Sequence, residues 1–411
     1  MTLRTVASAV LAFGIAAATV TVAPQAVARG EYRGSGTVLF VSDGDTLRAK
    51  VGTARSTQEQ HIRLSGVQAM EQDECHYREA KQLLRSLAPR KSALTLRALS
   101  KSSWAPDPDG RHRPLRVVTN SRGLDVQEQL LSAGLALPYT IRRETLNQFE
   151  YSRAGQTAAA QGIGLYDSDA CGYGPSQEAQ LRLWVNYDAS GNDKANTPGR
   201  YARVVNRGAT PVDIGGWWLR TAKHPKFVFP RPTVIEPGAS VVVHMGNGAT
   251  GNGHFYAGTT LLFPNPATSP QGTGNAFLFD PQGDIRTSTF YPCEVACENP
   301  LAGTLAVHVE SSPEGNEAQD PNLEFVRVSN VSGAAADLSY HVLTVMSSVH
   351  EFPAGTVLQP GEAVMVHVGK SKGNDGRLTQ YLNRDGSILP ESGAKATVRT
   401  HEGVVVATGT G

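Results

Sequence analysis

The stretch "IRLSGVQAME", residues 62–71, decides how the first part of the chain folds. It reads as a buried strand running into a loop, with Arg63 near one end and Glu71 at the other. Upstream lies "VSDGDTLRA" (41–49) and downstream "DPDGRHRPLR" (107–116). Residues 35–50 and 59–68 alternate apolar and polar side chains, the pattern of half-buried strands. "EQDECHYREAKQLLRSLA" follows, with Ala80, Leu83, Leu84 and Leu87 at helical spacing. "SALTLRAL" returns to strand periodicity, "DPDG" signals a tight turn, and "PLRVVT" is a further strand. "LDVQEQLLSAG" pairs Asp125 with Glu128 as a capping box and stops at Gly134, so it is a helix with both boundaries marked. Another helix starts near Thr145 and ends near Gly162. About five short strands with interspersed helices predict a small Greek-key barrel.

The chain is 411 residues long, enough for two or three domains. Its first residues carry one early cation, Arg4, then an apolar run, then Ala26-Val27-Ala28 before Arg29. That order is the pattern of a secretory signal peptide over residues 1–28. Pro24 and the many small residues argue against a membrane anchor, and no later segment is long and apolar enough to span a bilayer. The sequence therefore predicts a secreted, extracellular protein. Export makes the four cysteines disulfide candidates, paired as Cys75–Cys171 and Cys293–Cys297. Zinc is the competing reading, since His76 adjoins Cys75, but the spacing matches no common zinc motif. Net charge is +1, unevenly divided. Cations outnumber acids over residues 29–174, where Arg90, Lys91, Arg97, Lys101, Arg111, Arg113 and Arg116 crowd around predicted strands. Such a surface suits a polyanion.

After "CGYGPSQ" the texture changes to Val, Thr, Gly and Pro, and the chain repeats itself. "GNDKANTPGRYARVVNRG" (191–208) matches "GNEAQDPNLEFVRVSNVSG" (315–333), with Arg203 facing Arg327 and Asn206 facing Asn330. "FPRPTVIEPGASVVVHMG" (229–246) matches "FPAGTVLQPGEAVMVHVG" (352–369). Two copies of one β-sandwich module follow from this. His244 and His367 hold equivalent positions, which marks them as structural. In the loop "DASGNDKAN" (188–196), Asp188, Ser190, Asn192, Asp193 and Asn196 offer oxygens, but the spacing lacks the terminal Glu of an EF-hand and a polar turn is the better reading. The predicted organisation is a leader over 1–28, a barrel over 31–174, and sandwiches over 178–298 and 302–411.

Cleaving a phosphodiester needs cations at the phosphoryl oxygens and a base for water, often with a metal. Asp45, in "DGDT", suits a calcium ligand, Glu71 a base, and Arg63 and Arg111 a fork on phosphate. Residues 35–166 resemble the staphylococcal-nuclease (thermonuclease-like) family in the ordered set "VSDGDT", "IRLSGVQAME", "DPDGR" and "GLALPY…AAAQGIGLYD". The resemblance implies an OB-fold, a five-stranded barrel with helices, and calcium-dependent nuclease activity on DNA or RNA. It places Asp45, Gln68 and the Ala69 carbonyl as Ca2+ ligands, Glu71 as general base, and Arg63 and Arg111 on phosphate. Tyr139 falls on a base-stacking tyrosine, and Arg113 is a further candidate for substrate binding.

Two departures stand out. Where the family has Asp-x-Pro-Glu, this chain has Gln68-Ala69-Met70-Glu71, so one calcium carboxylate is a carboxamide and the site is weakened. Loss of the proline is expected to free the loop that positions Glu71. The repeated modules resemble the lamin-tail domain, an immunoglobulin-like sandwich, through "YARVVNRGATPVDIGGWWLR" and "IEPGASVVVHMG". In the second copy His341 stands where Trp217 does. Of Trp217 and Trp218, one should lie in the core, since adjacent strand residues face opposite ways. The resemblance implies accessory modules whose ligand is nucleic acid, cell wall or protein. The alternative to a nuclease is a catalytically impaired nucleic-acid- or surface-binding protein on the same scaffold.

Overall fold

A computed structural model describes residues 31–53, 56–105, 113–174, 176–189, 195–316 and 318–411. The leader reading (1–28) and the whole "DPDGR" turn with Arg111 lie outside the described residues, as do Ser190, Asn192 and Asp193.

The fold is mainly β. Strands β1 (Tyr32–Val41), β2 (Thr46–Thr53) and β3 (Ser56–Leu64) form a meander, followed by the short β4 (Gly66–Gln68). Helix α1 (Tyr77–Leu87), β5 (Ala93–Ala98), α2 (Lys101–Trp104) and β6 (Leu115–Asn120) come next, then α3 (Val126–Ser132), β7 (Leu137–Tyr139) and α4 (Gln148–Gln161). Five strands close a barrel in the order β1-β2-β3-β6-β5, the expected OB-type closure. Its interior is apolar, with Leu47, Ile62, Leu64, Leu94, Leu96 and Val118 among the buried residues.

The chain breaks from β3 to β4 at Gly66, whose φ is +78°. A Cβ there would lie 2.3 Å from the Tyr151 ring, so glycine lets α4 press on the strand. Asp125 caps α3 by accepting from the Gln127 and Glu128 amides, and Tyr151 Oη also donates to it at 2.9 Å. Arg116, read from sequence as part of a basic surface, points inward. It is fully buried beneath the Trp104 ring at 4.0 Å and donates to the Ser103 and Trp104 carbonyls. Burial lowers its pKa to about 10.

The first sandwich runs through β8 (Leu181–Asn186), β9 (Tyr201–Asn206), β10 (Val212–Asp213), β11 (Trp218–Arg220), β12 (Phe227–Val228), β13 (Val234–Ile235), β14 (Ser240–His244), β15 (His254–Tyr256), β16 (Gly274–Phe279) and β17 (Ile285–Tyr291). Its sheets are β15-β14-β9-β8 and β12-β11-β16-β17, with the pair β10-β13 between them in sequence. Residues 305–410 repeat the arrangement of two four-stranded sheets and one two-stranded pair. The likeness extends to side chains. Asn206 Nδ2 donates to the Thr210 and Ile235 carbonyls, and Asn330 Nδ2 to those of Ala334 and Leu358. His244 Nδ1 lies 2.7 Å from the Pro198 carbonyl, and His367 Nδ1 2.8 Å from that of Asn322. Trp217 is core, while Trp218 lies half-buried against Phe279.

Both disulfides, Cys75–Cys171 and Cys293–Cys297, are formed. The zinc reading ends there: Cys75, His76 and Cys171 cluster, but the two sulfurs are bonded to each other. No helix among the described residues is long and apolar enough to cross a membrane.

The two sandwiches meet through polar and aromatic contacts. Arg203 Nη2 pairs with Glu351 Oε1 at 2.8 Å, Arg399 Nη1 donates to Tyr187 Oη at 2.8 Å, and His401 stacks on Trp184 with centroids 4.9 Å apart. His401 is buried, and neither ring nitrogen has a hydrogen-bond partner among the described residues. Burial first, then His341 and nearby arginines, hold its pKa well below the ordinary imidazole range. As pH falls through about 6.5 the unfolded chain takes up this proton before the folded one does. Stability contributed by His401 is thus complete above that pH and is lost below it. Thermal melts from pH 8 to 5 should show His401→Phe with a shallower acid decline than wild type; parallel curves would contradict the assignment.

Candidate functional site

Apart from Arg111, which lies outside the described residues, the site residues expected from the sequence come together because of strand register. The turn between β1 and β2 carries Asp43 and Asp45, with the Ser42 amide bonded to the Thr46 carbonyl across it. Thr46 pairs with Arg63 on β3, and Arg63 pairs in turn with Leu115 on β6. Arg113, just before β6, therefore arrives beside the turn and donates to Thr46 Oγ1 at 2.8 Å. Strand β4 pairs with β7, Gly66 opposite Tyr139, which brings the tyrosine to the same mouth. Asp43, Asp45, Arg63, Gln68, Glu71, Arg113, Tyr139 and Arg142 all line one cleft of about 380 Å³.

Arg63 is the buried centre of the cleft. It is 5 % exposed, and its guanidinium meets Asp45 Oδ2 at 2.9 Å, Gln68 Oε1 at 2.9 Å and the Leu64 carbonyl. Burial lowers the Arg63 pKa, opposed by the Asp45 charge. Asp45 is also buried, which raises its pKa against the opposing pull of Arg63. Its Oδ2 accepts from the Ala69 amide at 2.9 Å and its Oδ1 from Thr46 Oγ1 at 3.0 Å. Burial likewise raises Tyr139. Glu71 and Arg113, by contrast, are exposed.

The orientation of the Gln68 amide is fixed by its neighbours. Arg63 only donates, so the atom it meets is Oε1; the Ala69 carbonyl only accepts, so the atom 3.0 Å from it is Nε2. Calcium requires about six to eight oxygens at roughly 2.3–2.6 Å. The expected set supplies three, and each is engaged: Asp45 by Arg63, Thr46 and Ala69, Gln68 Oε1 by Arg63, and the Ala69 carbonyl by Gln68 Nε2. A buried guanidinium and an amide N–H stand among these oxygens. In this arrangement the donors do not fit calcium.

The Met70 position also differs from expectation. Loss of a proline does not release the loop. Met70 is 3 % exposed and sits in a core shared by both modules, with Leu137, Leu165, Ala222, Phe277 and Phe290. Arg220 of the first sandwich is buried over it, with Nη2 3.1 Å from Met70 Sδ and Nη1 3.3 Å from Glu74.

That packing brings in a residue that sequence reasoning missed. His224, between β11 and β12, lines the cleft with its Nε2 3.0 Å from Glu71 Oε1 and 3.0 Å from Gln68 Nε2. The Gln68 N–H asks this nitrogen for a lone pair, and the Glu71 carboxylate asks it for a proton. One nitrogen cannot satisfy both at once, so in either tautomer only one of the two contacts is a hydrogen bond. No short motif in "TAKHPKF" signals this role.

Comparison with known proteins assigns one part of the chain. The family model for the Lamin Tail Domain matches residues 180–292, the first sandwich together with its His224 loop. No curated protein matches the chain. A closed five-strand barrel followed by an immunoglobulin-like lamin tail region is an architecture consistent with a binding scaffold.

The buried Asp45–Arg63 pair sets an expectation for stability. Asp45→Ala strands a buried guanidinium and should cost about 3–5 kcal/mol. Glu71→Gln, at an exposed carboxylate, should stay within about 0.5 kcal/mol of wild type. Denaturant titrations of both variants check this; equal midpoints would contradict the placement of Asp45.

Proposed function

We propose that the cleft binds the phosphodiester backbone of DNA or RNA and hydrolyses it. The observation that carries this reading is that Asp45, Arg63, Gln68, Glu71, Arg113 and Tyr139, spread over nearly a hundred residues, line one cleft. Phosphate oxygens meet the exposed Arg113 guanidinium, whose planar fork suits them. Arg63 lies behind, its charge neutralised by Asp45, and holds Asp45 and Gln68 in place in the poorly solvated floor. Glu71, exposed at the rim, takes the proton of the attacking water. Tyr139 offers a face to a neighbouring base. Calcium on Asp45, Gln68 and Ala69 is left out of this scheme, because it would require Arg63 to leave Asp45 and the Gln68 amide to turn.

The two disulfides support an oxidising, extracellular location, consistent with the leader reading of residues 1–28. A second reading, a nucleic-acid-binding protein that does not cut, is favoured by the engaged state of the expected calcium ligands. The sandwiches are then accessory modules for a surface or protein ligand.

Digestion of plasmid and single-stranded oligonucleotide by the full chain, in calcium and in chelator, separates the readings. Wild type should cut in both conditions, and Glu71→Gln should slow cutting about 100-fold or more, as loss of a general base does. Arg113→Ala should weaken substrate binding. Binding without cutting in either condition would establish the second reading. Cutting that survives Glu71→Gln would contradict the assignment of the base.

A further inference from the structure

Part of the wall of the cleft is made by another module. His224 is in the loop between β11 and β12 of the sandwich, yet its imidazole touches Glu71 and Gln68 of the barrel at 3.0 Å each. The loop is held at its base from both sides. Arg220, 1 % exposed, is fixed on Met70 and Glu74. The Ala222 amide donates to Asn275 Oδ1 at 3.1 Å, and Asn275 Nδ2 donates to the Pro138 carbonyl of the barrel at 2.8 Å. Ala222 itself is in the apolar core that joins the modules. A side chain carried on such a support has a defined position.

The cleft also continues along this junction. Tyr139 lines both it and a neighbouring cavity of about 370 Å³, walled by Pro138 and Thr140 of the barrel and by Lys223, Leu262 and Asn275 of the sandwich. A phosphodiester close enough for Glu71 to deliver water lies within reach of His224. The next nucleotide, beyond Tyr139, meets the seam.

We propose that the polynucleotide site is shared by two modules. A single strand lies along the barrel–sandwich seam, with His224 of the lamin-tail-like sandwich contacting the same phosphodiester that Arg113 holds. This rests on the reading of the cleft as a phosphodiester site. It assigns the first sandwich a direct part in substrate binding, in place of a remote accessory role. The ligand class is single-stranded nucleic acid, because the seam offers the Tyr139 ring and the exposed Leu262 to unpaired bases, beside Arg113 and Lys223 for one backbone.

The test measures binding and cutting separately. Fluorescence anisotropy with a fluorescein-labelled single-stranded oligonucleotide is recorded for the full chain in a Glu71→Gln background, so that the probe survives. Adding His224→Ala should weaken binding about tenfold, the worth of one hydrogen bond to a charged group. His224→Gln, which keeps a donor, should recover part of that loss. His308→Ala, on the exposed surface of the second sandwich, should have no effect. Melting temperature should be unchanged by His224→Ala, since that side chain is 48 % exposed. If Arg113→Ala abolishes binding while His224→Ala binds as wild type, the cleft reading stands and the shared site is overturned. If wild type binds but never cuts, the hydrolase reading falls and the anisotropy still decides on His224. If wild type neither binds nor cuts, both are overturned.

Discussion

A guanidinium buried in the floor of a barrel must be neutralised, and the local structure of this site follows from that requirement. Arg63 reaches three separate backbone segments: the β1–β2 turn through Asp45, its own strand end through Leu64, and β4 through Gln68. Neutralisation commits Asp45, whose remaining lone pairs then organise Thr46 and the Ala69 amide. It also commits one end of the Gln68 amide, which forces the other end toward the Ala69 carbonyl and toward His224. A carboxylate at position 68 would present acceptors on both oxygens. A carboxamide presents a donor where a cation would otherwise be drawn. One atom of difference thus puts a donor in place of a second acceptor within this hydrogen-bond network.

The second constraint is apolar. Barrel and first sandwich share a core in which Met70, Leu137 and Leu165 pack with Ala222, Phe277 and Phe290. Inter-domain contacts within a chain are often polar and permit relative motion. Here Met70 directly precedes Glu71, and Ala222 lies two residues before His224. The same packing that joins the modules therefore positions one side chain from each of them in the cleft. Burial of Arg220 against Met70 and Glu74 ties the two bodies further.

How much of this was legible in the sequence differs by residue. Alternation, helical spacing and the ordered motifs predict a barrel with helices, and the barrel is present. The internal repeat predicts paired side chains, and Asn206 with Asn330 and His244 with His367 occupy matching environments. The disulfide partners follow from redox context and agree with the structure. His224 was not legible, because it lies 153 residues after Glu71 and no local pattern encodes a contact between modules. Met70 was misread as a loosened loop, since a missing proline shows in sequence and a shared core does not. Arg116 read as surface charge, yet its strand position turns it inward under Trp104. Arg113 entered the cleft through the pairing of β3 with β6, information that spacing alone does not carry.

In the proposed function the cleft takes a phosphodiester with the barrel and the first sandwich acting together. The most direct test is a crystal structure of the full chain soaked with a nucleoside 3′,5′-bisphosphate and calcium. A phosphate within hydrogen-bond distance of both Arg113 and His224 is expected, with the Arg63–Asp45 pair and the Gln68 amide as described. A bisphosphate bound elsewhere, or calcium held by Asp45 and Gln68 with Arg63 displaced, would contradict it.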